Sequence, residues 1–259
     1  MKTVVITGAS AGIGKTAALL FAQKGWRVYG LSRRGLAPEG VTGIAADITD
    51  DEQVNAAFAR IAAECGKVDV LINNAGFGIS GAVEFTSTRD AQRLMDVDFM
   101  GTVRCARAAI PHMEKGGRIV NVSSVAAVFA IPFQTFYSAA KAAVNLFTLG
   151  LANELRPFGI KVCAVMPGDV RTDFTGSREK ALEGDEKYGG RISKGVAVME
   201  KDERGGMPPE KVARALYRAA TRKHPPVMTT VGGSYRLLVF LDRLFPKGLS
   251  NFIVGKMYQ

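Results

Sequence analysis

The stretch Thr7-Gly8-Ala9-Ser10-Ala11-Gly12-Ile13-Gly14 decides how this chain folds. It follows a short apolar run, Thr3–Thr7, and leads into a helical pattern over 12–24. Glycines in such a turn let a pyrophosphate approach the free N–H groups and the positive dipole of a helix N-terminus. The turn therefore predicts a dinucleotide site that includes Gly8, Ser10, Gly12, Ile13 and Gly14.

The rest of the chain continues this alternation of strand and helix. Further strands are predicted at 27–31, 42–46, 68–72, 118–122, 161–165 and 227–231, and further helices at 51–65, 88–115, 135–156 and 209–223. Several strands are apolar throughout, as expected when helices cover both faces of a parallel sheet. The order predicts an α/β fold with a doubly wound parallel sheet, the Rossmann fold, in a single domain over 1–259.

Two segments lie outside this pattern. Residues 172–207 are rich in glycine and charge and show no strand pattern, which is typical of a substrate loop or lid. Residues 234–259 form an apolar and basic C-terminal extension that is predicted to be helical.

The end of the second strand favours NADP(H) over NAD(H). An NAD-binding domain usually has a carboxylate here to bind the ribose 2′-OH, but this chain has Ser32-Arg33-Arg34. Two guanidinium groups can pair with a 2′-phosphate, although two arginines on a solvated turn are the alternative. After the third strand come Asp47 and Ile48, of which Asp47 is either a contact to the adenine edge or the N-cap of the next helix.

Tyr137 and Lys141 are four residues apart on a predicted helix, so their side chains share one face. A nearby cation stabilises the phenolate and lowers the pKa of a tyrosine, which can then exchange a proton with an alcohol or a carbonyl oxygen. Ser124 follows the fifth predicted strand, where its hydroxyl can hydrogen-bond the reacting oxygen.

Taken together, these motifs resemble the short-chain dehydrogenase/reductase family over roughly residues 3–175. The glycine loop, Asn73-Asn74-Ala75-Gly76, the set Ser124, Tyr137 and Lys141, and Pro167-Gly168 followed by Val170 and Thr172 occur in the family's order. The resemblance implies that Asn74, Ala75 and Gly76 support the cofactor pocket and that Lys141 and Tyr137 also contact the nicotinamide ribose. It implies that Pro167, Gly168, Val170 and Thr172 hold the carboxamide, and that subunits associate as a homodimer or homotetramer.

One position departs from the family's pattern. Asp98 stands where the family usually has an asparagine that holds a water of the proton relay. An aspartate can still hold a water and favours the cationic form of the lysine, but its charge also opposes formation of the phenolate. We therefore count Asp98 among the predicted catalytic residues.

The composition of the chain limits the kinds of partner that it is expected to bind. Two isolated histidines and three scattered cysteines fit no metal site, and the cysteines are typical of reduced thiols in the cytoplasm. The net charge is +10, but base-stacking aromatics and nucleic-acid modules are not evident, so we expect a small-molecule substrate. From residue 211 onward the sequence has nine Lys or Arg residues and only one acid. This pattern fits a solvated face, a subunit contact or peripheral membrane contact.

The C-terminal extension also bears on the substrate. It resembles the arrangement of hydroxysteroid- and retinol-dehydrogenase-like members, so we expect hydride transfer to or from a bulky lipophilic ketone or secondary alcohol. The alternatives are a reductase of carrier-bound 3-ketoacyl chains and a dinucleotide-binding sensor without catalysis. The intact Tyr137 and Lys141 argue against the sensor.

Overall fold

Seven parallel strands form the central sheet of the computed structural model, which describes residues 1–258. The described residues form nine strands, of which β5 and β8 make a separate small sheet: β1 (Thr3–Thr7), β2 (Arg27–Ser32), β3 (Thr42–Ala45), β4 (Val70–Asn73), β5 (Ile79–Gly81), β6 (Arg118–Val122), β7 (Lys161–Pro167), β8 (Glu179–Ala181) and β9 (Met228–Val231). The helices are α1 (Gly12–Gln23), α2 (Asp51–Cys65), α3 (Thr88–Met95), α4 (Gly101–Ala109), α5 (Thr135–Glu154), α6 (Phe174–Ser177), α7 (Arg191–Arg204), α8 (Pro209–Thr221), α9 (Gly233–Asp242) and α10 (Lys247–Met257).

The strand order β3-β2-β1-β4-β6-β7-β9 confirms the predicted doubly wound fold. The chain proceeds outward from β1 in one direction and then from β4 in the other, so the order reverses between these two strands. Ligands of such sheets bind in the crevice outside the carboxyl ends of the strands at this reversal. The glycine loop after β1 and the Asn73-Asn74 pair at the end of β4 meet there.

The side chains of successive strand residues point to opposite faces of the sheet and pack into two separate hydrophobic cores. Val5 of β1 packs with Leu71 and Ile119 against α2, α4 and α5, whereas Val4 packs with Val120 on the face that α1 and α8 cover. Because both faces are buried, the strands consist of nearly continuous apolar residues. This packing explains why the strands are apolar, which is the feature that predicted a parallel sheet.

The predicted helix over 88–115 is interrupted. Between α3 and α4, residues Asp96–Met100 form one turn of wider π-helix, and the segment ends in a short 3₁₀ turn at Ile110–His112. The Asp98 carbonyl accepts a hydrogen bond from the Thr102 hydroxyl at 3.1 Å within this region. Such π turns are frequent at functional sites. Asp98 is the buried residue of this turn.

The segment predicted to be a lid has more regular structure than its sequence indicated. The prediction of no strand in 172–207 was wrong, because β8 pairs in parallel with β5 through Ile79–Gly81 and Glu179–Ala181. The helices α6 and α7 flank this small two-stranded sheet. The segment is therefore attached to the loop that leaves β4, directly above the carboxyl ends of the central strands.

The C-terminal extension consists of α9 and α10, as predicted. None of the helices within residues 1–258 combines the length and the apolar character needed to cross a bilayer.

Candidate active site

The glycine loop has the shape of a pyrophosphate cradle. Gly8 and Gly12 have φ values of +68° and +53°, a region that favours glycine. A Cβ on Gly14 would lie 2.3 Å from the Gly8 carbonyl oxygen, so the loop and α1 touch only because this residue has no side chain. The first helical hydrogen bond runs from the Lys15 N–H to the Ala11 carbonyl, and no side chain caps α1. The N–H groups of the first turn are thus available to an anion.

Asn74 and Ala75 brace this cradle. Their backbone N–H groups donate to the Thr7 hydroxyl at 2.9 and 3.0 Å, and the Asn74 amide donates to the Thr7 carbonyl at 3.0 Å. These bonds tie the end of β4 to the end of β1. The predicted role of Asn74 and Ala75 as supports of the cofactor loop is consistent with this geometry.

The segment after β7 approaches the same loop. A Cβ on Gly12 would lie 3.5 Å from the Cβ of Thr172, so Thr172 stands against the glycine turn. Gly168 lies under the ring of Tyr235, whose nearest carbons would be 2.2 Å from an added Cβ. Val170 is buried and pairs with Met207 in an isolated bridge, and Pro167 ends β7. The four residues predicted to hold the carboxamide thus form one side of the crevice.

The residues predicted to bind the adenosine half lie at the ends of β2 and β3. Arg33 and Arg34 are exposed, and the Ser32 hydroxyl donates to the Leu36 carbonyl at 3.0 Å. Ile48 is buried against Gly101 at the start of α4. The N-cap alternative for Asp47 was wrong, because Asp50 caps α2 by accepting from the Gln53 N–H at 3.0 Å. Asp47 instead accepts from the N–H and the hydroxyl of Thr49.

The catalytic residues predicted from sequence come together at the start of α5. Lys141 is buried, and its ammonium lies 3.4 Å from the Val122 carbonyl oxygen and 5.5 Å from the centre of the Tyr137 ring. Ser124 follows β6, accepts from the Ala126 N–H at 3.1 Å, and presents its hydroxyl to the Tyr137 phenol. A hydroxyl, a phenol and an ammonium thus surround one point at the edge of the sheet.

Asp98 completes the group by contacting Lys141 directly. Its Oδ2 lies 3.0 Å from the Lys141 Nζ, with the carboxylate fully buried and the ammonium 6% exposed. Its Oδ1 accepts from the Phe77 N–H at 2.9 Å. A Cβ on Gly76 would lie 2.9 Å from Asp98 Oδ2, so the glycine of the Asn-Asn-Ala-Gly motif makes room for this carboxylate.

The prediction that the pKa of Tyr137 is lowered was wrong, because the pKa lies above its ordinary value. Burial raises the pKa of the phenol, Lys141 pulls it down, Asp98 pushes it up, and Ser124 lowers it by hydrogen bonding. For Lys141, burial lowers the pKa of the ammonium, but Asp98 and Tyr137 together outweigh burial, so the pKa lies above its ordinary value. Lys141 therefore stays cationic, and Asp98 offsets part of its effect on Tyr137.

Several residues beside Tyr137 escaped prediction. The Phe174 ring packs 5.9 Å from the Tyr137 ring, and the guanidinium of Arg178 lies 5.6 Å from the centre of the Phe174 ring. Arg178 is buried and forms an ion pair with Glu203 of α7. The Glu203 charge also raises the pKa of Tyr137. Their sequence signal is weak because charged residues in a glycine-rich segment resemble a solvated loop.

A buried polar chain that holds α5 on the sheet was also missed. Asn73 donates to Asn121 Oδ1 at 2.9 Å, and Asn121 donates to the Thr148 hydroxyl at 2.9 Å. The chain joins β4, β6 and α5, and it fixes the helix that carries Tyr137 and Lys141. Polar residues inside otherwise apolar strands are its only sequence signal.

Known proteins are similar to this chain in sequence and in architecture. The short chain dehydrogenase family model matches residues 2–183. The 3-ketodihydrosphingosine reductase of Bacteroides thetaiotaomicron is 41% identical over 240 residues, covering 91% of this chain and 89% of the relative. A short-chain dehydrogenase from Streptomyces avermitilis has a TM-score of 0.85 at 32% identity, covering 94% of this chain and 93% of that one.

A solved structure of ElxO with NADP bound has a TM-score of 0.74 at 29% identity and covers 91% of this chain and 99% of that one. The part of the chain that the family model matches includes the glycine loop and the group formed by Ser124, Tyr137 and Lys141. The chain belongs to the short-chain dehydrogenase/reductase family and is an NAD(P)-dependent oxidoreductase of alcohol and carbonyl groups.

Proposed function

We propose that the protein uses NADPH to reduce a long-chain ketone that carries an amino group on the carbon beside the carbonyl. The observation that carries this proposal is the 41% identity, over nearly the whole chain, to a 3-ketodihydrosphingosine reductase. A lipophilic ketone was expected from the C-terminal extension, and the long-chain amino ketone takes the place of a steroid or retinoid within that class.

The chain's own groups supply the proton and the orientation. A bound nicotinamide cofactor would supply the hydride. The glycine loop, Asn74 and Lys141 would hold this cofactor. In reduction, Tyr137 donates its phenolic proton to the oxygen of the former carbonyl, and the Ser124 hydroxyl hydrogen-bonds the same oxygen. Lys141 stabilises the phenolate that remains.

An excess of negative charge around Asp169, which directly follows Gly168 after β7, supports recognition of an ammonium group. The charges that act on Asp169 are those of Asp202, Glu203 and Arg178, so three acids accompany one guanidinium. Glu203 also acts on Tyr137. An ammonium on the carbon next to the carbonyl would lie close to the reacting oxygen, within reach of this group's field.

NADPH is favoured by the adenosine end of the crevice. Arg33 and Arg34 are exposed directly after β2, in the place where a 2′-phosphate reaches the protein. A phosphate can form charge-assisted hydrogen bonds with both guanidinium groups.

A homodimer or homotetramer is supported by the outer face of α5. Leu146 and Leu149 are 71% and 42% exposed there, on the side of the helix away from the sheet. Exposed leucines on a helix face are typical of subunit contacts.

The substrate class is tested by comparing a long-chain 3-ketone with and without the 2-amino group. We expect kcat/KM to favour the amino ketone, and Glu203→Gln to reduce that preference by about 10- to 100-fold, since a charged hydrogen bond is worth about 1.5–3 kcal/mol. Glu200→Gln is the matched control, because Glu200 lies one turn earlier on α7 and pairs with Lys180 and Arg204. Turnover of neither ketone would refute the proposed substrate, and an equal loss in both variants would refute the role of Glu203.

The cofactor preference is tested with Arg33→Ala/Arg34→Ala. We expect KM for NADPH to rise by about 10- to 100-fold and KM for NADH to change little, because only the 2′-phosphate loses its partners. Lys24→Ala, an exposed cation at the other end of α1, controls for net charge. Similar KM changes for both cofactors would contradict the assignment.

The role of Asp98 is tested with Asp98→Asn. The Asp98 charge raises the pKa of Tyr137, so its removal lowers that pKa. Reduction requires the protonated phenol. As pH rises, the rate of reduction should therefore begin to fall at a lower pH than in the wild type. Oxidation requires the phenolate and should begin at a lower pH. The control is Asp96→Asn, because Asp96 lies on the same turn but pairs with Arg104. Unchanged pH profiles would show that the carboxylate has no distinctive role.

The subunit contact is tested with Leu146→Ser. We expect sedimentation velocity to show dissociation at a protein concentration at least about 10-fold higher than in the wild type, since a buried leucine contributes about 1.5–3 kcal/mol. Phe158→Ser, at an exposed site outside α5, should leave the assembly unchanged. A wild-type monomer would reject the proposal.

A further inference from the structure

The apolar stripe of α10 faces outward. Leu249, Phe252, Ile253 and Met257 recur at helical spacing and are all exposed, whereas Val254 alone is buried. An amphipathic helix of a globular protein normally turns such a stripe toward the core. No other segment within residues 1–258 covers this one.

The preceding helix repeats the arrangement. Leu237, Phe240 and Leu244 are exposed along and just beyond α9, while Val239 and Asp242 face inward. Exposed apolar side chains therefore continue along the chain from α9 through the turn at 243–246 into α10, and exposed apolar surface of this kind marks an interaction site.

Cations border these side chains. A groove between α8 and α9 is lined by Arg218, Arg222, Arg236, Arg243 and Phe240, and a second groove adds Lys211 and Arg214. None of these six cations takes part in an ion pair among the described residues. The only acid after residue 210, Asp242, is buried and pairs with Lys247. The surface thus joins apolar side chains to unneutralised positive charge.

This surface is attached to the substrate side of the active site at both ends. Tyr235 lies against Gly168 and donates a hydrogen bond to Asp169. At the far end, Tyr258 packs with Phe133 and Ile192 in the apolar cluster of the lid, next to Gly195 of α7. The helices α9 and α10 therefore span from the nicotinamide side of the crevice to the lid.

We propose that this C-terminal face, made of the exposed apolar residues of α9 and α10 and the six cations beside them, docks on the surface of an anionic lipid bilayer. Exposed leucines and phenylalanines enter the headgroup boundary, and cations attract anionic lipids. The charge pattern fits a second copy poorly, because an isologous contact would pair basic surfaces that carry no exposed acid. Docking would bring the lid to the bilayer, where a lipophilic substrate is concentrated.

The test is co-sedimentation of the full-length protein with vesicles. We expect binding to phosphatidylcholine vesicles that contain 30% phosphatidylglycerol, and little binding to pure phosphatidylcholine or in 0.5 M NaCl, because salt screens the attraction. Arg214→Gln/Arg218→Gln should weaken binding by roughly 30-fold, on the basis of about 1 kcal/mol per cation. Phe252→Ser should weaken binding by at least about 10-fold.

Matched control variants distinguish the effect of this face from a general loss of charge or of exposed apolar surface. Lys24→Gln/Arg89→Gln removes two exposed cations elsewhere, and Phe158→Ser removes a phenylalanine that is 67% exposed, compared with 62% for Phe252. Both should bind vesicles like the wild type. The proposal is overturned if the wild type does not bind anionic vesicles, if the control variants lose binding equally, or if Phe252→Ser dissociates an oligomer without changing lipid binding. Because binding is measured without substrate, the result is independent of the proposed reaction.

Discussion

The buried ion pair between Asp98 and Lys141 is the contact that sets the electrostatics of the candidate active site. Removing two charges from water costs several kcal/mol per ion, and their attraction at best roughly repays it, so such a pair contributes little to stability. Its effect is electrostatic. It holds the ammonium in the charged form beside Tyr137 while adding a negative charge that opposes the phenolate. The proton affinity of Tyr137 is thus set by a balance of burial and two opposite charges.

The scaffold around this pair explains why it can exist. The π turn at Asp96–Met100 directs Asp98 inward, Gly76 leaves space for the carboxylate, and the Phe77 N–H satisfies one of its oxygens. On the other side, the chain Asn73–Asn121–Thr148 holds α5 so that Lys141 meets it. A buried charge is tolerated only where neighbouring groups are placed in advance to receive it.

The fold and the motif residues were predictable because each follows from local spacing. A glycine turn after a strand and two residues at i and i+4 on a helix are visible in one dimension. The direction in which the pKa of Tyr137 is shifted was not predictable. It depends on burial of the phenol, and burial depends on packing across α5, α6 and the loop after β4. The π turn was likewise hidden, since residues 88–115 keep a helical pattern throughout. The pairing of β5 with β8 escaped notice because three-residue strands carry no usable periodicity.

The pair Arg178–Glu203 lies in the segment 172–207 that was predicted to be a lid, and this segment contacts Tyr137. Phe174 contacts both the Tyr137 ring and the Arg178 guanidinium, so the lid touches the reacting phenol through one aromatic ring. The other side of the lid packs on Tyr258 at the end of α10. The same segment thus contacts Tyr137 through Phe174 and the C-terminal end of α10 through Ile192. Because closely packed side chains shift between discrete arrangements and do not deform continuously, a displacement of Tyr258 is expected to be passed on to the residues of this segment that it contacts.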